Sequence, residues 1–166
     1  MTSPRTPHPL VWAALTILLA AALAPTASGH CEIPCGIYGD EMRFDMIDEH
    51  LETIAKSMRQ VDELSADPAA NANQLVRWVV NKEEHAEKLR EILTVYFLDQ
   101  RIKPVDADGG EKRQTYLDQV ETLHRMMVRV MKCTQTTDLT HVEKLRELKD
   151  RLYLLYFGEE HEKHTH

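Results

Sequence analysis

The chain has 166 residues, which is enough for one domain and hardly for two. Its 27 Asp and Glu residues outnumber its 20 Lys and Arg residues, for a formal net charge of −7. An acidic chain without a basic stripe in its sequence is a poor nucleic-acid binder, and it offers no global attraction for an anionic ligand, so any electrostatic steering must be local.

Residues 1–29 read as a leader. Their apolar run, residues 11–24 (VWAALTILLAAALA), is shorter than the roughly 20 residues that a membrane span needs. A short apolar run behind a weakly positive start is typical of a secretory signal peptide. We therefore predict an exported protein, periplasmic or extracellular, with no stable membrane span after processing. The small residues Ala27 and Gly29 favour cleavage after Gly29, which leaves His30 as the mature N-terminus; a cut a few residues away is the alternative.

Residues 30–39 follow the leader and contain the sequence HCEIPCGIY. In an exported chain the simplest interpretation of Cys31 and Cys35 is a local disulfide. Three residues separate these cysteines, whereas a thioredoxin-type motif has two, and a structural zinc site needs four protein ligands where this segment supplies three side chains. The third cysteine, Cys133, ends an apolar helical pattern, and we predict a half-buried, inert thiol there.

If His30 is the mature N-terminus, the segment gains further ligands. The free terminal amine, the Cys31 amide nitrogen and two thiolates form a planar set of two nitrogens and two sulfurs. Tetragonal coordination of this kind points to nickel or copper(II), and thiolates would reduce copper(II). The His30 imidazole remains available as an axial ligand. The sequence thus predicts a nickel-binding hook.

The remainder of the mature chain, residues 40–158, carries four apolar seams at helical spacing. The first helix is predicted from about Asp40 to Leu64, and Asp67-Pro68 begins the second, which ends before Lys103-Pro104. The seams consist of Ile47, Leu51, Ile54, Met58 and Val61; of Val79, Ala86, Leu89, Leu93 and Tyr96; of Val120, Leu123, Met127 and Val130; and of Leu145, Leu148, Leu152 and Leu155. We predict an all-α, up-down-up-down four-helix bundle with an N-terminal metal-binding hook, followed by a polar tail, residues 159–166.

The hook motif His-Cys-x-x-Pro-Cys-Gly-x-Tyr resembles the N-terminus of the nickel superoxide dismutases. The motif matches at every fixed position, namely His30, Cys31, Pro34, Cys35, Gly36 and Tyr38. The resemblance implies an enzyme that converts superoxide to oxygen and hydrogen peroxide by Ni(III)/Ni(II) cycling. It also implies one nickel ion per subunit and a homohexamer of four-helix-bundle subunits.

The resemblance assigns a role to each hook residue. His30 supplies the amine and the axial imidazole, Cys31 an amide nitrogen and a thiolate, and Cys35 the second thiolate. Tyr38 corresponds to the tyrosine that closes over the open face of the nickel and helps to admit small anions. Glu32 stands where the best-known members have Asp.

Two positions depart from the family pattern. Met46 falls where the family has the Glu that supports the axial histidine, and His85 falls where the family has the Arg that partners this Glu. Asp45, Asp48 and Glu49 are candidates to replace the missing carboxylate, and the spacing does not choose among them. His85 is a candidate to hold a metal ligand in position without binding the metal itself. The alternative is a histidine without a role.

Other interpretations stay open at this stage. An exported nickel- or copper-binding carrier would show labile metal exchange and would not need Tyr38. A disulfide-stapled helical interaction protein would be fully active without metal. A single Glu121-x-x-His124 pattern is weak support for a metal site in the bundle core, and His50 and His141 receive no role. The enzyme hypothesis leaves room for a nickel-delivery or maturation factor.

Overall fold

The computed structural model describes residues 39–158, which form four helices and, within that range, no strand. Helix α1 spans Asp40–Leu64, α2 spans Pro68–Glu91 and continues as a π-helix over Ile92–Arg101, α3 spans Glu111–Gln135, and α4 spans Thr140–Phe157. The predicted all-α class is confirmed. The leader, the hook up to Tyr38 and the polar tail lie outside the described residues.

Contacts between the helices establish the up-down-up-down order. Helix α1 packs against α2 and α4, and α3 packs against α2 and α4. Asn81 donates to the Ser57 hydroxyl at 2.9 Å, and Tyr156 near the end of α4 donates to Asp40 at the start of α1 at 2.7 Å. Helices α2 and α4 therefore run antiparallel to α1, as expected for a bundle whose helices are joined by short loops. None of the helices within residues 40–157 is long and apolar enough to cross a bilayer.

The predicted seams supply most of the core. Fully buried seam residues include Ile47, Leu51, Ile54, Met58, Ala86, Leu89, Leu93, Leu123, Val130, Leu145 and Leu152. Val79 is an exception, because its side chain is 37% exposed. Its assignment to the seam was wrong, because helical spacing marks an apolar face and does not show whether a neighbouring helix covers it.

Local signals explain where the helices begin and end. The Asp67 side chain accepts a hydrogen bond from the Ala70 amide at 3.2 Å and Pro68 occupies the first helical position, which is the N-terminal signature read from the sequence. At the other end of the bundle, Gly158 adopts a φ of 90° and its amide donates to the Leu154 carbonyl at 2.9 Å. A side chain is strained at this φ, so glycine suits the end of α4.

A lysine from one helix closes the end of another. Lys82 of α2 is 4% exposed, and its ammonium group donates to the carbonyls of Cys133 at 2.9 Å and Thr134 at 2.7 Å. These carbonyls belong to the last turn of α3, where they have no partner within their own helix. The buried positive charge also lies at the negative end of the α3 dipole, so the hydrogen bonds and the dipole both stabilise the contact.

Candidate metal centre

The hook residues that the sequence singles out lie outside the part of the chain that the structure describes. They are His30, Cys31, Glu32, Cys35 and Tyr38. Their assigned roles therefore stay predictions. His85 lies within residues 39–158, and so does the end of the bundle that the hook joins.

Asp40 follows Tyr38 by two residues and fixes the start of α1 to the rest of the bundle. Its carboxylate accepts hydrogen bonds from the Tyr96 hydroxyl, the Arg101 guanidinium and the Tyr156 hydroxyl. Tyr96 and Arg101 belong to the π-helical segment and Tyr156 belongs to α4. One carboxylate thus ties α1 to two other parts of the bundle, immediately after the hook. Sequence reasoning missed this cluster, because its members are far apart along the chain.

These hydrogen bonds set the protonation states of the cluster. Burial alone would raise the pKa of Asp40, but the hydrogen bonds from Tyr96, Arg101 and Tyr156 outweigh it and hold this pKa below 3.8. Burial is the largest cause that raises the pKa of Tyr156 to about 12, and the hydrogen bond to Asp40 is the second. The same two causes raise the pKa of Tyr96. At neutral pH the carboxylate is ionised and both phenols keep their protons, which is the state that the hydrogen bonds require.

Arg43 adds a positive charge one turn further into α1. Its guanidinium carbon lies 4.7 Å from the centroid of the Tyr96 ring, a distance at which a cation is attracted to the ring face. Its Nη1 atom lies 3.4 Å from the Met46 Sδ atom, which is a weak acceptor. The Nε atom of Arg43 is buried and has no hydrogen-bond partner among residues 39–158.

Met46 itself packs against the core and carries no charge. Of the three acids considered as replacements for the family carboxylate, Asp48 accepts a hydrogen bond from the Lys149 ammonium group of α4 at 2.9 Å. Asp45 and Glu49 are exposed. Asp48 therefore forms an ion pair with α4. Of the two exposed acids, Glu49 is close enough to His50 and His85 for its charge to act on both rings.

His85 is paired with His50, a residue to which sequence reasoning assigned no role. Their Nδ1 atoms lie 3.1 Å apart, so one neutral ring donates to the other. Burial is the main cause that lowers the pKa of both rings below 6.5, and the charge of His85 adds to it for His50. Both rings are therefore neutral at pH 7. His50 directly precedes the seam residue Leu51, and this position beside the seam was the available signal in the sequence.

The bundle does not assemble a metal site of its own in the part that the structure describes. Within residues 39–158, no three His, Cys, Asp or Glu side chains are grouped so that they could hold a metal ion. Cys133 is fully buried, and burial raises its pKa to about 11, which disfavours the thiolate that a metal would need. The donor set with the chemistry that nickel prefers is that of the hook, with its two cysteines and adjacent nitrogen donors.

Comparison with known proteins agrees with the motif and the fold. The model of the nickel-containing superoxide dismutase family matches residues 25–160, a range that includes the whole hook and the whole bundle. No curated protein and no solved structure matches the chain. The match covers most of the 166 residues. The chain therefore belongs to the nickel-containing superoxide dismutases, oxidoreductases that act on superoxide with a nickel cofactor.

Proposed function

We propose that this dismutase holds one nickel ion per subunit in the hook. His30 provides its terminal amine and its imidazole, Cys31 an amide nitrogen and a thiolate, and Cys35 a thiolate. The observation that carries this proposal is that the family match begins before His30 and continues through the bundle. When bound, nickel supplies a one-electron couple, Ni(III)/Ni(II), through which superoxide is converted to oxygen and hydrogen peroxide.

The residues of the chain have separate tasks in this proposal. The amide nitrogen and the thiolates donate electron density strongly and so favour the higher oxidation state of the metal. Tyr38 would restrict access to the bound nickel to small anions. Asp40 is held by hydrogen bonds from Tyr96, Arg101 and Tyr156, so the start of α1 is fixed two residues after Tyr38.

The use of the terminal amine as a ligand implies an order of export, cleavage and nickel binding. An amide-linked His30 cannot donate an amine to a metal, so residues 1–29 must be removed before nickel binds. The leader lacks an Arg-Arg pair, which favours export in the unfolded state and nickel loading after cleavage, outside the cytoplasm. Until then Cys31 and Cys35 are thiols in an oxidising compartment, where they can close into a disulfide.

We further propose that the subunits assemble as the homohexamer expected for the family. We expect that a bundle of this size needs neighbouring subunits to order an N-terminal hook. Light scattering of the nickel-loaded protein tests this directly. A fully active monomer would contradict it.

The decisive experiment compares a protein that begins at His30 with one that retains Gly29, both verified by intact mass. We expect the protein that begins at His30 to bind nickel and to dismute superoxide. The Gly29-extended protein should bind nickel poorly and lose activity, because its first ligand is blocked.

Trimming Gly29 from the same extended sample provides the matched control, since it restores the amine without a new preparation. Recovery of nickel content and activity after trimming supports the proposed ligand. Full activity in the untrimmed protein would refute it. A Tyr38→Phe variant that keeps its nickel but changes KM for superoxide would separate the access role of Tyr38 from metal binding.

A further inference from the structure

A basic groove runs between α3 and α4 of this acidic chain. It has a volume of 670 Å³. Its cationic side chains are Arg125, Arg129 and Lys132 on α3 and Lys144 and Arg151 on α4. The three on α3 are spaced by four and three residues, so they form one row along the helix. Sequence reasoning found no basic stripe and so missed this row of three, although its spacing lies within one helix; the two cations on α4 join it only in the folded chain.

The positive charge of this groove is only partly neutralised by the surrounding side chains. Arg125 pairs with Glu121 at 2.5 Å, Lys144 pairs with Glu147 at 2.8 Å, and Arg151 lies 3.8 Å from Asp118. Arg129 contacts the Nδ1 atom of His141 at 3.1 Å rather than a carboxylate. Among residues 39–158, neither Arg129 nor Lys132 forms an ion pair with an acid. The positive charge that no acid neutralises therefore lies at Arg129 and Lys132, on a chain whose formal charge is −7.

The floor of the groove is apolar. Val128 is 40% exposed, and Leu148 is partly buried against the core. Cationic walls over an apolar floor complement a helix that carries both acidic and apolar side chains on one face. A polysaccharide or a nucleic acid would use the charges but not the apolar floor. An amphipathic acidic helix is therefore the occupant that matches both features.

The same chain exposes such a helix face. Val76, Val80, Glu83 and Glu87 of α2 follow one another at spacings of four, three and four residues, which places them in one stripe. Val76 is 61% exposed and Val80 is 48% exposed. The side chains of Glu83 and Glu87 are 45% and 70% exposed, and each lies 3.4 Å from a basic side chain of the same helix, Lys82 and Arg90 respectively. We call these four residues the α2 stripe.

We propose that the α2 stripe of a second copy of this chain docks in the basic groove between α3 and α4. The stripe and the groove lie on different helices, so the contact joins unlike surfaces, and repeated contacts of this type produce a ring or an open chain. This inference deepens the assembly proposed above by naming the surfaces that meet. It depends neither on nickel nor on the number of copies.

Reversal of charge on each surface tests the contact. The groove variant combines Arg125→Glu with Lys132→Glu, and the stripe variant combines Glu83→Lys with Glu87→Lys; all four side chains are exposed. We expect each variant alone to associate at least about tenfold more weakly than the native protein, which corresponds to about 1.4 kcal/mol. Sedimentation velocity of the full mature protein at low and high salt measures this, and high salt should weaken the native assembly as well.

Mixing the two variants is the critical step. The reversed groove of one variant then faces the reversed stripe of the other, so mixed assemblies should recover part of the native association, and a chain with all four changes should recover it fully. A Lys112→Glu variant, which changes an exposed charge at the start of α3 away from the groove, should associate like the native protein. Circular dichroism must show that every variant is folded.

The outcomes are distinct. Unchanged association in either double variant, or a native protein that is monomeric at both salt concentrations, overturns the proposal. Weaker association without recovery in the fourfold variant also overturns it, because the groove would then bind something other than the α2 stripe. Nickel content and dismutase activity of the same samples report separately on the hook, so a failure of this contact is distinguishable from a failure of the enzyme assignment.

Discussion

Replacement of Asp40 by Asn should destabilise the bundle at the end that carries the hook. The ionised carboxylate accepts hydrogen bonds from Tyr96, Arg101 and Tyr156. Hydrogen bonds to charged groups contribute roughly 1.5–3 kcal/mol each. They do not add fully, and the Arg101 side chain is 37% exposed, so solvent screens part of the interaction. We expect a loss of about 3 kcal/mol, which for a domain of this size lowers the melting temperature by about 10 °C.

The pH dependence separates this mechanism from a general packing defect. The folded-state pKa of Asp40 lies below 3.8. Its contribution to the free energy of unfolding is therefore fully present above about pH 4 and is lost as the pH falls through the folded-state pKa. The gap between the native protein and Asp40→Asn should shrink steadily below about pH 4.

Thermal unfolding followed by circular dichroism, on metal-free protein from pH 7 to pH 2, measures both quantities. Asp45→Asn is the matched control, since Asp45 is an exposed acid in the second turn of the same helix. That change should alter the free energy of unfolding by less than about 0.5 kcal/mol. If Asp40→Asn is as mild as the control at pH 7, or if its deficit persists unchanged at pH 2, the anchoring role of Asp40 is refuted.

Three further predictions concern the interior. The folded-state pKa values of His50 and His85 are lowered, so the free energy of unfolding should decrease as the pH falls below about 6.5. The His50→Gln variant should show a weaker pH dependence in thermal melts between pH 7.5 and pH 5. An equal dependence of stability on pH in the variant and the native protein would contradict this prediction. Lys82→Met leaves the last carbonyls of α3 without their buried donor and should cost about 3 kcal/mol in urea unfolding, whereas a loss below about 1 kcal/mol would exclude the capping role. Cys133, with its pKa raised to about 11 by burial, should resist alkylation at pH 8 in the folded protein and react in denaturant, as peptide mass mapping can verify.

Local sequence signals predicted the elements of the fold well. The first helix was expected from about Asp40 to Leu64 and is observed over that range, and the Asp67-Pro68 start of the second helix has the expected cap. Such signals act within a few residues, so one sequence suffices to read them. Val79 shows the limit of the method. A periodic pattern identifies the apolar face of a helix but not how far along the helix a neighbour covers that face.

The features that the sequence did not predict depend on contacts between distant residues. His50 and His85 meet across two helices, as do Asp40 and Tyr156, and neither pair has a spacing rule that could reveal it. The hook motif, by contrast, is contiguous, and its ligand chemistry could be proposed from adjacent residues. The assignment to the family rests on such local chemistry together with the helical pattern.

The π-helical end of α2 also has a consequence for changes in chain length. In the segment Ile92–Arg101 the hydrogen bonds reach back five residues, as the Ile102 amide does to the Phe97 carbonyl at 2.8 Å. Such a wide turn holds one residue more than the hydrogen-bonded turn of an α-helix. Deletion of a single residue between Ile92 and Tyr96 can therefore be absorbed by a return to α-helical bonding, without loss of the helix. An insertion at the same place could not be accommodated by a return to α-helical bonding. Length variation among relatives of this chain should consequently take the form of one-residue deletions in this segment, with Tyr96 and Arg101 kept on the side of Asp40.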